Sequence, residues 1–202
     1  MRCIAHILNL IVNDGLKDVF VSVKRVREAV RYIKNSPARL RKFKEYSELV
    51  GVDTKCSLSL DVPTRWNSTY IMLQTARMYE KAFEKFEEQE LAFRSDLGEL
   101  PDLYDWLAVN KLVVLLKNFY DMTMRISGSQ YVTANSFFNE ISDLHCMLDE
   151  WKDSDDNSQL LMAMNMKAKF DKYWGDPEKM IFIIFLLTYW IQQISWNTWS
   201  FL

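Results

Sequence analysis

The sequence predicts a mainly α fold, on three observations. Only 5 glycines and 4 prolines punctuate the 202 residues, so long loops are few. Apolar residues recur at three- and four-residue spacing along most of the chain, the period of a helix. Alternation with a period of two, the mark of a strand, is confined to one short stretch at Leu58, Leu60 and Val62. With 49% hydrophobic residues the chain can bury a core, and its length suits one domain or a large piece of one.

Residues 2–13 form the first expected helix, with Ile4, Ile7, Leu8, Ile11 and Val12 on its apolar side and Gly15 as its stop. A second runs over 16–34, with Val19, Phe20, Val23, Val26, Val30 and Ile33 inward and Lys24, Arg25, Arg27, Arg31 and Lys34 outward. Ser36 as cap and Pro37 at the first position open a third, which carries Arg39, Arg41, Lys42 and Lys44 and closes at Gly51. A long helix is expected over 67–92, its end crowded with Glu80, Glu84, Glu87, Glu88 and Glu90, which read as a solvated face. After a polar break at 94–101, apolar positions from Trp106 to Tyr120 predict a broadly buried helix over 103–126. Ser127 to Ser129 reads as a turn. Two further helices follow, from Thr133 to Trp151 and from Leu160 to Trp174, with an acidic loop at 154–158 between them.

Charge and cysteine usage narrow the function classes. Cys3, Cys56 and Cys146 are too few and too scattered for a disulfide framework or a CxxC metal site, which fits a reducing compartment. Cys3 and His6 share one helical face, but no second pair completes a metal site. The opening lacks a charged stretch followed by a small-residue cleavage site, so no secretory leader is expected. The net charge of -2 conceals an asymmetry. The first fifty residues hold eleven Lys and Arg against five acids, whereas 101–150 hold three against seven. That basic quarter suits nucleic acid, or equally a solvated helix exterior.

The chemistry concentrates between Leu58 and Tyr70. Leu58, Leu60 and Val62 are expected on one side of a strand, with Ser57, Ser59 and Asp61 on the other, and Pro63 ends it. Asn67 or Ser68 then caps the following helix. Arg65 and Trp66 fall in the turn between, where a guanidinium and an indole suit a phosphate contact and a base stack. The alternative is a Trp66 packed in the core and an Arg65 that caps or pairs locally.

Asp61-Val62-Pro63-Thr64-Arg65-Trp66-Asn67-Ser68-Thr69 resembles the DxxTRWNST signature of hAT-superfamily DNA transposases. Their domesticated plant relatives, BED-zinc-finger proteins of the daysleeper and ricesleeper type, share it. Cys3-Ile4-Ala5-His6-Ile7-Leu8-Asn9-Leu10-Ile11-Val12 resembles a second signature of that family, CxAHxLNLxV. Two motifs in this order, roughly fifty residues apart, are more specific than either alone. The resemblance extends through about Met180. It implies a partial RNase-H-like core over 1–66, with one or two short strands, and an all-α insertion-type region over 67–180. Cys3, His6, Asn9 and Asp61 would be structural motif positions, the first two supporting the active site.

RNase-H-like transposases hold two divalent metals, Mg²⁺ in the expected case, on three carboxylates. In the family two aspartates precede the CxAHxLN helix and a glutamate follows the helical insertion, and no residue here matches any of the three. Asp61 belongs to the turn. The resemblance therefore implies a catalytically incomplete fragment with no cofactor of its own, apart from the BED finger and the dimerisation segment of full-length, oligomeric relatives. Weak DNA binding through Arg65, Trp66, Arg39, Arg41 and Lys42 in the nucleus is the expected residual activity, with no small-molecule substrate. The alternatives are a helical protein-interaction module or a non-functional relic. The tail 181–202 departs from the family pattern. A shifted reading frame or a mis-spliced gene model accounts for it; the alternative is a terminal helix or strand buried against the core. Its eleven mostly apolar residues from Ile181 to Ile191 fall short of the about twenty that span a bilayer, so no membrane anchor is expected.

Overall fold

The computed structural model describes residues 4–52, 56–128, 134–153 and 156–176. Among them the chain is mainly α, with nine helices and no strand. They are α1 (Ile4–Leu16), α2 (Phe20–Lys34), α3 (Pro37–Leu49), α4 (Trp66–Met78), α5 (Glu80–Gln89), α6 (Leu91–Leu97), α7 (Leu103–Gly128), α8 (Ala134–Lys152) and α9 (Asn157–Trp174). Cys3, Thr133 and the tail 181–202 lie outside the described residues.

Two compact units form. One is continuous, Val19–Lys117; the other takes the described residues of Met1–Asp18 and Asn118–Leu202. The boundary expected at residue 66 falls inside the continuous unit, where α4 packs against α2.

In the continuous unit, α2 buries Val23, Val26, Val30 and Ile33 of the stripe its periodicity predicts, but Phe20, expected inward, is 57% exposed in the first turn and Val19 before it is only half-buried. Ser36 caps α3, its hydroxyl accepting from the Arg39 amide at 3.4 Å, and Pro37 occupies the first position. Phe43 of α3 is the hub of an aromatic cluster with Phe83 at 4.9 Å, Tyr79 at 5.6 Å and Phe86 at 5.8 Å. Trp106 closes on Phe83 at 5.5 Å. Such tilted pairs stabilise by about 0.5–1.5 kcal/mol each beyond their burial.

The helix expected over 67–92 is three helices. Tyr79 breaks it first; the Tyr79 ring is buried and its hydroxyl donates to the Cys56 carbonyl. Glu90, at φ -114 and ψ 86, breaks it again, and α6 ends at Gly98 with φ 73, a left-handed conformation that glycine adopts without strain. At the start of α7, Asp102 and Asp105 cap reciprocally: the Asp105 amide donates to Asp102 Oδ1 at 2.9 Å and the Asp102 amide to Asp105 Oδ2 at 3.1 Å. Asp105 also accepts from Ser22 at 2.7 Å and from Arg25 Nη1 at 3.0 Å. The helix continues through Ser127 and Gly128, where a turn was expected.

In the discontinuous unit, α9 packs against both α1 and α8. Gly15 does not stop α1; it is buried one residue before the helix ends. A Cβ there would meet Met166 Sδ at 2.5 Å and Met162 Cγ at 3.2 Å, so its missing side chain admits α9. Lys169 reaches back to Asp14 at 2.8 Å, and Asn165 Nδ2 donates to Asp18 Oδ2 at 2.9 Å.

The strand expected at 57–62 is absent, and the facing of its last residues, from Leu60 to Val62, is reversed. Leu58 is buried, but Leu60 and Val62 are about half exposed and Asp61 points inward. The pattern failed because it assigns a carboxylate to solvent by default, whereas this one has a charged partner inside.

Candidate nucleic-acid interface

The Arg65 amide donates to the Val62 carbonyl at 2.8 Å, closing a four-residue turn with Pro63 at its second position. Helix α4 starts directly after it. Arg65, extended at φ -120 and ψ 95, is therefore the cap residue, and its side chain makes no capping bond. Asn67 and Ser68, expected as caps, lie inside the first turn. Ser68 closes that turn from within: its Oγ accepts from the Val62 amide at 2.9 Å and shares its proton between the carbonyls of Arg65 at 2.7 Å and Val62 at 3.0 Å. The Asn67 side-chain oxygen is buried without a hydrogen-bond partner among the described residues.

Beneath the turn lies Asp61, its side chain 0% exposed. Arg27 of α2 grips it from the side, Nε at 3.0 and 2.9 Å from the two oxygens and Nη2 at 2.9 Å from Oδ2. Thr69 Oγ1 donates to Oδ2 at 2.9 Å. A carboxylate this buried is tolerable only because it is paired and hydrogen-bonded. Arg27 thus ties the turn to α2, a role that a reading of α2 as a basic outer face missed. The one signal available was the aspartate in an apolar run, which demands a counter-charge.

The five expected DNA contacts separate into three groups. Trp66 is a correction: its indole is 3% exposed, packed on the inward side of α4 with Tyr70 and Leu73. The spacing i, i+4, i+7 puts those three on one face, so the indole presents no surface for stacking a base. Arg39 and Lys42 are engaged within the chain. Arg39 lies 3.6 Å over the Tyr32 ring and 3.6 Å from Asp96; Lys42 contacts Glu90 at 2.7 Å. The hydrogen bond from Lys42 holds the Glu90 carboxyl below the usual glutamate range, against the opposite pull of burial. Arg65 and Arg41 form the third group, exposed and without an ion pair among the described residues. Lys24 and Lys44 share that condition. Arg25, expected to face outward, is held by Glu99 and Asp105.

Of the structural motif positions, His6 is exposed on α1 and Asn9 is half-buried. The glutamates read as solvated divide likewise: Glu84 is exposed, whereas Glu88 pairs with Lys85 at 2.8 Å, Glu87 with Arg94 and Glu90 with Lys42.

Among the described residues no three His, Cys, Asp or Glu side chains form a group able to hold a metal ion. Both Asp61 oxygens are taken by Arg27 and Thr69. These residues do not fit a two-metal site. Among them, too, no helix is long and apolar enough to cross a membrane.

Two family descriptions match the chain: the ZBED1 RNase-like helical domain over residues 1–115 and the hAT-like transposase RNase-H fold over residues 135–188. The chain is 33% identical over 174 residues to a putative AC transposase of Zea mays, covering 86% of this chain and 21% of that protein. It is 34% identical over 176 residues to the zinc finger BED domain-containing protein RICESLEEPER 2 of Oryza sativa subsp. japonica, covering 87% and 24%. To the BED protein DAYSLEEPER of Arabidopsis thaliana it is 28% identical over 144 residues, covering 67% and 19%. The chain thus spans about a fifth to a quarter of the length of these relatives. No solved structure matches it.

Proposed function

Because the chain belongs to the hAT transposase family, in a segment bearing that family's turn motif, we propose that it contacts DNA phosphates without cutting or joining the strands itself. The observation that carries this reading is Arg65. Its guanidinium stands exposed on a turn that a buried ion pair fixes, and no carboxylate among the described residues neutralises it. A guanidinium held so is suited to a phosphate. Arg41, Lys24 and Lys44 are further cations open to the same use. Trp66 serves as the packing base of the turn. A contact between a guanidinium and a phosphate is direct and itself needs no divalent ion. The nucleus is the compartment in which such a segment would meet DNA.

Fluorescence anisotropy with duplex and hairpin-ended DNA across a salt series tests this. Binding should weaken linearly with log salt, and Arg65→Ala should reduce the slope by about 0.9, one phosphate contact on duplex DNA. Chelation by EDTA should change nothing. Absence of binding at low salt refutes the reading.

One observation favours a protein partner instead. Leu103, Tyr104, Leu107 and Val114 are exposed on α7, Tyr104 at 80%. Apolar docking there would persist in high salt, where phosphate binding is lost.

A further inference from the structure

Four donors on α2 and α3 converge on two carboxylates at the ends of α6. Lys42 Nζ lies 2.7 and 2.9 Å from the two oxygens of Glu90, and the Tyr46 hydroxyl donates to Oε1 at 3.0 Å. At the other end, the Tyr32 hydroxyl donates to Asp96 Oδ2 at 2.9 Å, and Arg39 Nη2 lies 3.6 Å from the same oxygen. Arg39 is held for this: its guanidinium stacks over the Tyr32 ring, and Nη1 donates to the Tyr32 carbonyl at 3.3 Å. Each carboxylate therefore sits where one cation and one phenol hydroxyl meet. Phosphate oxygens accept the same donors.

The element that supplies these acids is lightly held. Helix α6 has seven residues, a break at Glu90 before it and Gly98 with φ 73 after it. Phe93 is its only buried residue, lodged between Tyr32 at 5.2 Å and Phe86 at 5.1 Å. Leu91, by contrast, is 86% exposed. Both cations are substantially exposed at their side chains, 53% for Lys42 and 39% for Arg39. Ion pairs in such positions are weak and yield to a competitor.

We propose that α6 is an acidic strap lying across a phosphate-binding face made by Tyr32, Arg39, Lys42 and Tyr46, and that the DNA backbone competes with Glu90 and Asp96 for these donors. This rests on the DNA-contact reading above and adds its regulation. In the resting chain Arg65 and Arg41 are available, while Arg39 and Lys42 are held in reserve. Any influence that neutralises or displaces the strap enlarges the footprint by two phosphates.

The test is a four-cornered comparison by anisotropy on one duplex across a salt series. Glu90→Gln with Asp96→Asn should tighten binding about three- to thirtyfold at low salt, given the strength of two exposed pairs. The salt slope should steepen by about 1.8. Arg39→Met with Lys42→Met should change little in the original chain yet abolish the gain in the strap-neutral one. Asp143→Asn with Glu150→Gln, exposed acids on α8, remove the same charge and should reproduce neither effect. The single changes Glu90→Gln and Asp96→Asn should each give part of the gain, which guards against a folding defect in the pair. If the original chain binds through Arg65 and the strap-neutral chain binds no tighter than the α8 control, the strap is refuted and the DNA reading stands. If only the strap-neutral chain binds, the strap is upheld and the open Arg65 contact is insufficient. If neither binds, both fail.

Discussion

Arg27 and Asp61, 34 residues apart in sequence, make a pair in which the carboxylate is wholly buried and both its oxygens are engaged. This pair sets where the motif turn sits on α2, and hence where Arg65 emerges. Removing one partner leaves the other buried without its counter-charge. Arg27→Met or Asp61→Leu alone should destabilise the chain by about 3–5 kcal/mol in urea unfolding. The double change should recover most of that loss, because no lone charge remains.

Neighbours in the motif should behave oppositely. Trp66→Ala empties a core site and should cost about 3–5 kcal/mol. Arg65→Ala, at an exposed position, should stay within about 0.5 kcal/mol of the original stability. Denaturation midpoints measured side by side decide this, and a stability loss at Arg65 would mean that its guanidinium has a structural partner.

Asp105 gives the acid limb of stability. Burial alone would raise its pKa, but the Ser22 hydroxyl, the Asp102 amide and Arg25 outweigh it and hold the carboxyl below its ordinary 3.8. A carboxyl lowered on folding stabilises the folded state above the unfolded pKa and loses that contribution as pH falls through the folded value. Stability measured from about pH 6 to about pH 2 should therefore drop at the acid end, and Asp105→Asn should flatten that drop. Asp14, Glu90 and Asp149 are lowered as well and contribute with the same sign.

Gly15→Leu should destabilise by about 1–3 kcal/mol, because the added side chain collides with Met162 and Met166. Repacking with Met166→Ala should relieve part of it. A neutral Gly15→Leu would show that α1 and α9 can part slightly without loss.

What was legible in the sequence follows the range of the interactions involved. The α3 start was readable because Ser36 and Pro37 act on their own neighbours, and α7 because its apolar face repeats over many turns. The breaks at Tyr79 and Glu90 were not, since neither has glycine or proline; tertiary contacts to Cys56 and Lys42 fix them. The basic residues of α2 and α3 were counted correctly but sorted wrongly. Whether a cation is spent inside the chain depends on acids far along it: Asp61 for Arg27, Glu90 for Lys42, Asp96 for Arg39. Helical spacing tells which side of a helix a charge occupies and nothing about what stands opposite.

The division of the chain also orders its assembly in time. Val19–Lys117 is contiguous, so its helices can close on one another as soon as they leave the ribosome. Helix α1, the first described element to be made, packs against α9, whose residues follow more than a hundred positions later. During synthesis its apolar side, with Ile7, Leu8, Ile11 and Val12, stays without that cover until α9 arrives. Helix α1 is thus made well before the helix that shelters it, and for that interval its apolar side is open to a chaperone or to aggregation.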